Sequence, residues 1–180
     1  MTRKRVVVEL IILGLDPGIA TVGFGLVRSE KNKFYPVRYG VFKTSAGLPL
    51  SQRLSSIYND LNEVIRVYKP DVISIEELFF NTNLKTGISV AHGRGVMLLA
   101  AFQNGIPIHE YTPLQVKQSV VGYGRAEKKQ IMDMVKRLLK LDKIPKPDDA
   151  ADALAIALCH ARAATSLLYK EWSKSECSTT

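Results

Sequence analysis

The sequence is poor in the residues that build disulfide frameworks, zinc sites and membrane spans. Its 180 residues include two cysteines, Cys159 and Cys177, and three histidines. Two thiols fit neither a disulfide framework nor a four-cysteine zinc site, so a reducing cytoplasm is the expected compartment. The apolar run from Val6 to Leu15 is interrupted by Glu9, and no stretch is long enough to span a membrane. We accordingly expect no membrane partner.

Composition favours one globular domain with a basic surface. Hydrophobic residues make up 46% of the chain, which is enough for a full core in a protein of this length. We predict one domain over residues 1–170 and a polar, disordered tail over residues 171–180. Lys and Arg outnumber Asp and Glu by 25 to 17, giving a net charge of +8 and an isoelectric point near 9.5. This balance favours a polyanionic partner.

The order of apolar patterns predicts a mixed α/β fold. The first third of the chain predicts three antiparallel strands joined by short loops. The first strand ends at Leu15, the second covers residues 21–27 and the third covers residues 34–42. From residue 51 onward, helical periodicity alternates with short apolar strands. The elements predicted there are a helix over 51–68, a strand over 71–75, a helix from about Asn83 to Gln103, a strand over 106–110, and helices from Pro113, over 126–141 and from Asp148 to about Tyr169.

Acidic residues stand where predicted strands end and where the last helix begins. Asp16 ends the first strand, Glu76 and Glu77 end the fourth, and Asp149 and Asp152 lie three residues apart on one helical face. Two carboxylates about 4 Å apart repel by roughly 4 kcal/mol even at an effective dielectric of about 20. Four converging acids would therefore hold protons or bind cations. An all-oxygen set suits Mg²⁺ or Mn²⁺ better than zinc.

Each acid also has a simpler structural interpretation. Asp16 precedes Pro17-Gly18 and could stabilise the turn that these residues form. Asp149 and Asp152 could serve as favourable charges at a helix N-terminus, where acids are common. The buried strand pattern does not distinguish Glu76 from Glu77, because both faces of that strand are covered.

Three motifs in order give the chain a specific resemblance. Together with two connecting segments, they resemble the RuvC family of bacterial Holliday junction resolvases, in the RNase H-like superfamily, over about residues 11–160. The motifs are Leu13-Gly14-Leu15-Asp16-Pro17-Gly18, Ile75-Glu76 followed by Phe79, and Asp149-Ala150-Ala151-Asp152-Ala153-Leu154-Ala155, joined by Val116-Lys117-Gln118-Ser119-Val120-Val121-Gly122 and Ala126-Glu127-Lys128.

The resemblance implies a fold and an activity. The fold is RNase H-like, a five-stranded mixed sheet in which three antiparallel strands lead into parallel ones, with helices on both faces. The activity is that of a dimeric endodeoxyribonuclease that cuts two strands of a four-way DNA junction symmetrically, in homologous recombination and DNA repair. It implies two Mg²⁺ ions per active site, with Mn²⁺ as a substitute, and a partnership with the RuvA-RuvB branch-migration complex.

The resemblance also assigns the metal-binding residues. Asp16, Glu76, Asp149 and Asp152 match the family's metal-binding acids, and the position of Phe79 three residues on selects Glu76 over its neighbour. These four residues are therefore the expected catalytic and metal-binding set.

The expected DNA contacts surround these acids. Lys117 and Lys128 match the family's basic residues near the scissile phosphate, and Arg125 lies just before Lys128. Phe79 matches a family aromatic and would stack on bases at the crossover, whereas the alternative for adjacent phenylalanines is a place in the core. Part of the charge between residues 128 and 140 alternates with apolar residues and could be only the solvated face of an amphipathic helix.

The dimer interface is predicted on the helix from about Asn83 to Gln103. Its small residues would let another helix approach closely, although its glycines could equally serve packing within the chain.

Other functions fit the sequence less well. A related nuclease acting on RNA shares the expected fold and acids. A non-catalytic junction-binding protein would not need an intact acid set. The turn Asp16-Pro17-Gly18 also fits the first phosphate loop of an actin-like or sugar-kinase ATPase, but the second such loop is missing and 180 residues are too few for two lobes.

Overall fold

The computed structural model describes residues 9–78 and 84–177, with side chains omitted for 84–86 and 166–177. It contains one five-stranded sheet with the strand order β3-β2-β1-β4-β5. The first three strands pair in antiparallel fashion, and β4 and β5 extend the sheet in parallel, which confirms the predicted fold. The strands are β1 (Leu10–Asp16), β2 (Thr21–Glu30), β3 (Lys33–Lys43), β4 (Val72–Glu76) and β5 (Ile108–Tyr111).

Within the described residues, five helices cover the sheet, close to the places that the periodicity predicts. The helix α4 is shorter than predicted because Glu127 and Gln130 form a capping box at its start and Lys140 adopts a positive φ of 52° just beyond its end. The last helix runs past the predicted end near Tyr169, and the disorder of residues 171–180 stays a prediction. The helices are α1 (Leu50–Tyr68), α2 (Leu84–Gln103), α3 (Pro113–Val121), α4 (Lys128–Leu138) and α5 (Asp148–Cys177).

The two faces of the sheet bury separate apolar clusters. In β1, Ile12 belongs to the cluster beneath α3, α4 and α5, whereas Leu13 and Leu15 belong to the cluster beneath α1 and α2. Strand side chains alternate between faces, so a strand covered on both sides needs apolar residues at nearly every position. This arrangement explains why β1 is apolar without interruption from Leu10 to Leu15.

Glycines bring α5 into direct contact with the central strands. A Cβ at Gly14 would lie 2.1 Å from the carbonyl oxygen of Ala153, and one at Gly23 would lie 2.0 Å from that of Asp149. No side chain larger than hydrogen fits at either place without a shift of the helix. The first turns of α5 therefore lie against the strand end that carries Asp16. None of the described helices is both long and apolar enough to cross a membrane.

Candidate active site

Two acids lie at the ends of neighbouring parallel strands. The register pairs Leu15 of β1 with Ile75 of β4, so Asp16 and Glu76 follow side by side. Leu15 and Ile75 both face the cluster beneath α1 and α2. By strand alternation, Asp16 and Glu76 face the opposite side, toward α5, and Glu77 does not.

One cavity gathers most of the predicted site. Its charged lining consists of Asp16, Glu76 and Asp152 together with Lys117 and Lys128. Its apolar wall consists of Pro113, Val116, Ile131, Ala155 and Ile156. These residues come from β1, β4, α3, α4 and α5, so the site forms only when two strands and three helices are assembled.

Asp149 lies one turn before Asp152 at the start of α5 and does not belong to the cavity lining. It still acts on the site, because its charge contributes to the raised pKa of Asp16. The structure thus brings three of the four predicted acids around the cavity, with the fourth beside them.

Burial and mutual repulsion raise the pKa of the carboxyl groups in the cavity. Burial raises the pKa of Asp16 from 3.8 to about 8, and the charges of Asp152, Glu76 and Asp149 add to this rise, while Lys128 opposes it. Burial also raises the pKa of Glu76, with a further rise from Asp152 and a lowering by Lys117. Such a cluster holds protons or attracts cations.

Lys128 is one of the two lysines in the cavity lining, and it pairs with acids at the start of α5. Its Nζ lies 3.1 Å from Oδ2 of Asp152 and 3.6 Å from Oδ2 of Asp148. Burial raises the pKa of Asp152, and the contact with Lys128 acts in the opposite direction. The side chain of Lys128 is 55% exposed, so it can exchange Asp152 for a phosphate oxygen at modest cost.

The helix that carries Lys117 is fixed at its start. Thr112 accepts a hydrogen bond from the backbone N–H of Gln115, whose side chain accepts one from the N–H of Thr112, and Pro113 occupies the first helical position. This capping box sets the direction of α3 along the cavity. Lys117 therefore reaches the lining from a rigid element.

The structure places one of the other two predicted DNA contacts, Arg125. Arg125 is exposed in the loop between α3 and α4 and lies outside the cavity lining. Phe79 lies outside the described residues, so its stacking role stays a prediction.

One contact beside the acids had no signal in the sequence. Arg94, on α2, donates a hydrogen bond from Nε to the backbone carbonyl of Glu76 at 3.3 Å. An arginine within a helix rich in small residues gives no indication of which carbonyl it reaches. Only the packing of α2 across the strand ends shows it.

The acids suit a hard divalent cation by their chemistry. In residues 9–78 and 84–177, no three Asp, Glu, His or Cys side chains already stand in a metal-binding arrangement, and Lys128 holds Asp152. The donors are nonetheless all carboxylate oxygens. Burial, and then repulsion from the neighbouring acids, raises the pKa of Asp16 and of Glu76. A Mg²⁺ or Mn²⁺ ion would relieve that repulsion and accept this donor set.

Known proteins are similar to this chain in both sequence and fold. Residues 12–160 match the family model described as crossover junction endodeoxyribonuclease RuvC. The protein of that name from Ruminiclostridium cellulolyticum is 59% identical over 151 residues, which cover 84% of this chain and 91% of that one. Thermus thermophilus RuvC has a TM-score of 0.82 at 37% identity, covering 87% of this chain and 96% of that one. Its complex with a Holliday junction substrate has a TM-score of 0.80 at 35% identity, with the same shares covered.

The matched segment includes every acid of the cavity and both of its lysines. The chain therefore belongs to the RuvC family of crossover junction endodeoxyribonucleases.

Proposed function

We propose that this protein resolves Holliday junctions, by cutting two strands of a four-way DNA junction symmetrically during homologous recombination and DNA repair. One observation carries the proposal: buried carboxylates from two strand ends and a helix share one cavity with two lysines, in a chain of the RuvC family. The Thermus thermophilus relative bound to a Holliday junction substrate supports the same substrate here. The excess of 25 basic over 17 acidic residues also favours DNA as the partner.

The acids are the proposed metal ligands. Asp16, Glu76, Asp149 and Asp152 would hold two Mg²⁺ ions, with Mn²⁺ as a substitute. When bound, these ions supply the activation of water and the stabilisation of the leaving 3′ oxygen. The carboxylates themselves must be deprotonated to bind them.

The lysines act on the phosphate. Lys128 is paired with Asp152. With Asp152 serving as a metal ligand, Lys128 would be free to contact the scissile phosphate. Lys117 lies across the same cavity, close enough to Glu76 to lower its pKa. Both ammonium groups would offset negative charge that develops at phosphorus. Arg125 would hold a neighbouring phosphate, and Phe79 would stack on a base opened at the crossover.

An exposed stripe on α2 supports the proposal of a homodimer. Apart from Gln103 at its last position, the exposed residues among 87–103 recur at alternating spacings of four and three residues, which is typical of the seam of a helix pair. The stripe consists of Ile88, His92, Gly95, Leu99 and Phe102. Ile88, Leu99 and Phe102 are 51%, 50% and 79% exposed, which is unusual for such residues on one helical face.

The two central glycines of α2 have different surroundings. A Cβ at Gly93 would lie 2.5 Å from the carbonyl oxygen of Gly18, so Gly93 serves packing within the chain. A Cβ at Gly95 would meet no heavy atom of the described residues within 4 Å. Gly95 lies in the middle of the exposed stripe and suits the close approach of a second α2. Two sites related by such an interface would make the paired cuts. The RuvA-RuvB complex remains the partner implied by the family resemblance.

Cleavage of a substrate panel tests this function. The panel contains a synthetic four-way junction, the matched linear duplex and an RNA/DNA hybrid, each with Mg²⁺ and with a chelator. We expect Mg²⁺-dependent cleavage of the junction well above that of the duplex, because only the junction presents two diverging strands to two sites. Preferential cleavage of the hybrid would instead identify a nuclease that acts on RNA. Junction binding without cleavage in any metal would identify a non-catalytic binder.

A further inference from the structure

Arg94 links the helix of the exposed stripe to a strand that ends in the active site. Its guanidinium donates from Nε to the carbonyl oxygen of Glu76 at 3.3 Å and pairs through Nη2 with the carboxylate of Glu110 on β5. The side chain is 16% exposed. A guanidinium is a planar fork, so two partners on two of its nitrogens fix its orientation as well as its position.

The carbonyl that Arg94 binds lies just past the paired part of β4. The parallel register between β1 and β4 ends at Leu15 and Ile75, one residue before Glu76. On the other side of β4, the N–H of Glu77 donates to the carbonyl of Tyr111 at 2.9 Å. Arg94 therefore restrains the peptide that follows Glu76, at the point where the pairing with β1 has stopped.

The same turn of α2 also packs against the turn that follows β1. Gly93 lies against the backbone of Gly18, two residues after Asp16. The next residue, Arg94, binds the carbonyl of Glu76, and Gly95 lies on the exposed stripe. One helical turn thus contacts the turn after Asp16 and the end of β4, and it carries part of the proposed dimer surface.

We propose that Arg94 is a positioning residue for Glu76. By holding the Glu76 carbonyl to α2, it fixes where the Glu76 carboxylate stands relative to Asp16, and so sets the affinity of the site for divalent metal. This inference rests on the proposed metal-dependent nuclease function of these acids. Arg94 itself touches neither substrate nor metal, and its effect passes through Glu76.

The test uses three variants with separable contacts. Arg94→Lys keeps the positive charge beside Glu110 but cannot make both contacts of the fork. Glu110→Gln keeps Arg94 on the Glu76 carbonyl and removes the charge of its second partner. Arg66→Lys is the matched control, because Arg66 also pairs with a glutamate, Glu63, on the exposed surface of α1.

The decisive readout is Mn²⁺ binding to the free protein by calorimetry, together with the Mg²⁺ dependence of junction cleavage. We expect Arg94→Lys to weaken Mn²⁺ binding by roughly 10- to 100-fold, the usual effect of losing a residue that orients a metal ligand. The Mg²⁺ concentration for half-maximal cleavage should rise in parallel, whereas junction affinity in chelator should stay within about twofold. Glu110→Gln should show a smaller loss, and Arg66→Lys should match the wild type.

The outcomes separate this inference from the function on which it rests. Wild-type protein that binds no Mn²⁺ and cuts no junction contradicts the proposed function. Wild-type protein that does both, while Arg94→Lys binds Mn²⁺ equally well, overturns the role of Arg94 alone. An equal loss in Arg66→Lys would likewise overturn it, because the effect would then be one of general stability.

Discussion

Replacing Asp16 with asparagine should abolish junction cleavage and, at the same time, stabilise the metal-free protein at pH 8. The carboxylate of Asp16 has a pKa raised from 3.8 to about 8 by burial and by the acids around it. Between these two values the folded protein holds a proton that the unfolded chain has released. The contribution of Asp16 to the stability of the wild type therefore falls as the pH rises from about 4 to about 8, by on the order of a few kcal/mol.

Asparagine removes this penalty together with the charge that binds metal. We expect the Tm of metal-free Asp16→Asn to exceed that of the wild type at pH 8 by roughly 5 to 10 °C, and the difference to vanish near pH 4. Saturating Mg²⁺ should stabilise the wild type by about 3 kcal/mol at 100 times its Kd and the variant far less. Calorimetric melting from pH 4 to 8, with and without Mg²⁺, measures both effects.

The control for this experiment is Asp142→Asn, since Asp142 is exposed in the loop between α4 and α5. It makes the same change in net charge and should leave both the pH dependence and the cleavage rate as they are. Correctly folded Asp16→Asn protein that cuts junctions at the wild-type rate would remove Asp16 from the active site.

A charge placed on the exposed stripe of α2 should separate the dimer and uncouple the two cuts. Leu99 is half exposed, so Leu99→Asp costs the core little, but it sets two like charges against each other across a two-fold interface. We expect sedimentation of the wild type at about 40 kDa, twice the chain mass of 20.0 kDa, and of the variant at the chain mass. On junctions, the variant should make single nicks in place of paired cuts.

Val67→Asp is the matched control, because Val67 is 51% exposed on α1, away from the stripe. It should leave both the sedimentation and the pairing of cuts unchanged. A monomeric Leu99→Asp protein that still made paired cuts would refute the need for a dimer, and a dimeric one would place the interface elsewhere.

The sequence predicts the fold well where local pattern and tertiary demand agree. The apolar run before Asp16 is continuous because β1 is covered on both faces, and α5 can lie on the sheet because Gly14 and Gly23 leave room for its backbone. A helix whose ends are set by a cap or by a residue with positive φ, such as α4, is shorter than periodicity alone suggests.

The candidate site is predictable in its residues but not in its contacts. Strand periodicity could not separate Glu76 from Glu77, whereas the register with β1 places Glu76 beside Asp16. The pairing of Lys128 with Asp152 joins two helices, and the hydrogen bond from Arg94 reaches a backbone carbonyl. Neither contact has a sequence signature, because each depends on how distant elements pack.

Paired resolution is tested by mapping both cuts on a single four-way junction labelled on two opposite strands. With Mg²⁺, we expect the wild type to cut both labelled strands at symmetric positions and to release two nicked duplexes that a ligase can seal. Without metal, or with Asp16→Asn, the junction should be bound and remain intact. Cuts at unrelated positions on the two strands, or equal cutting of the matched linear duplex, would contradict this expectation.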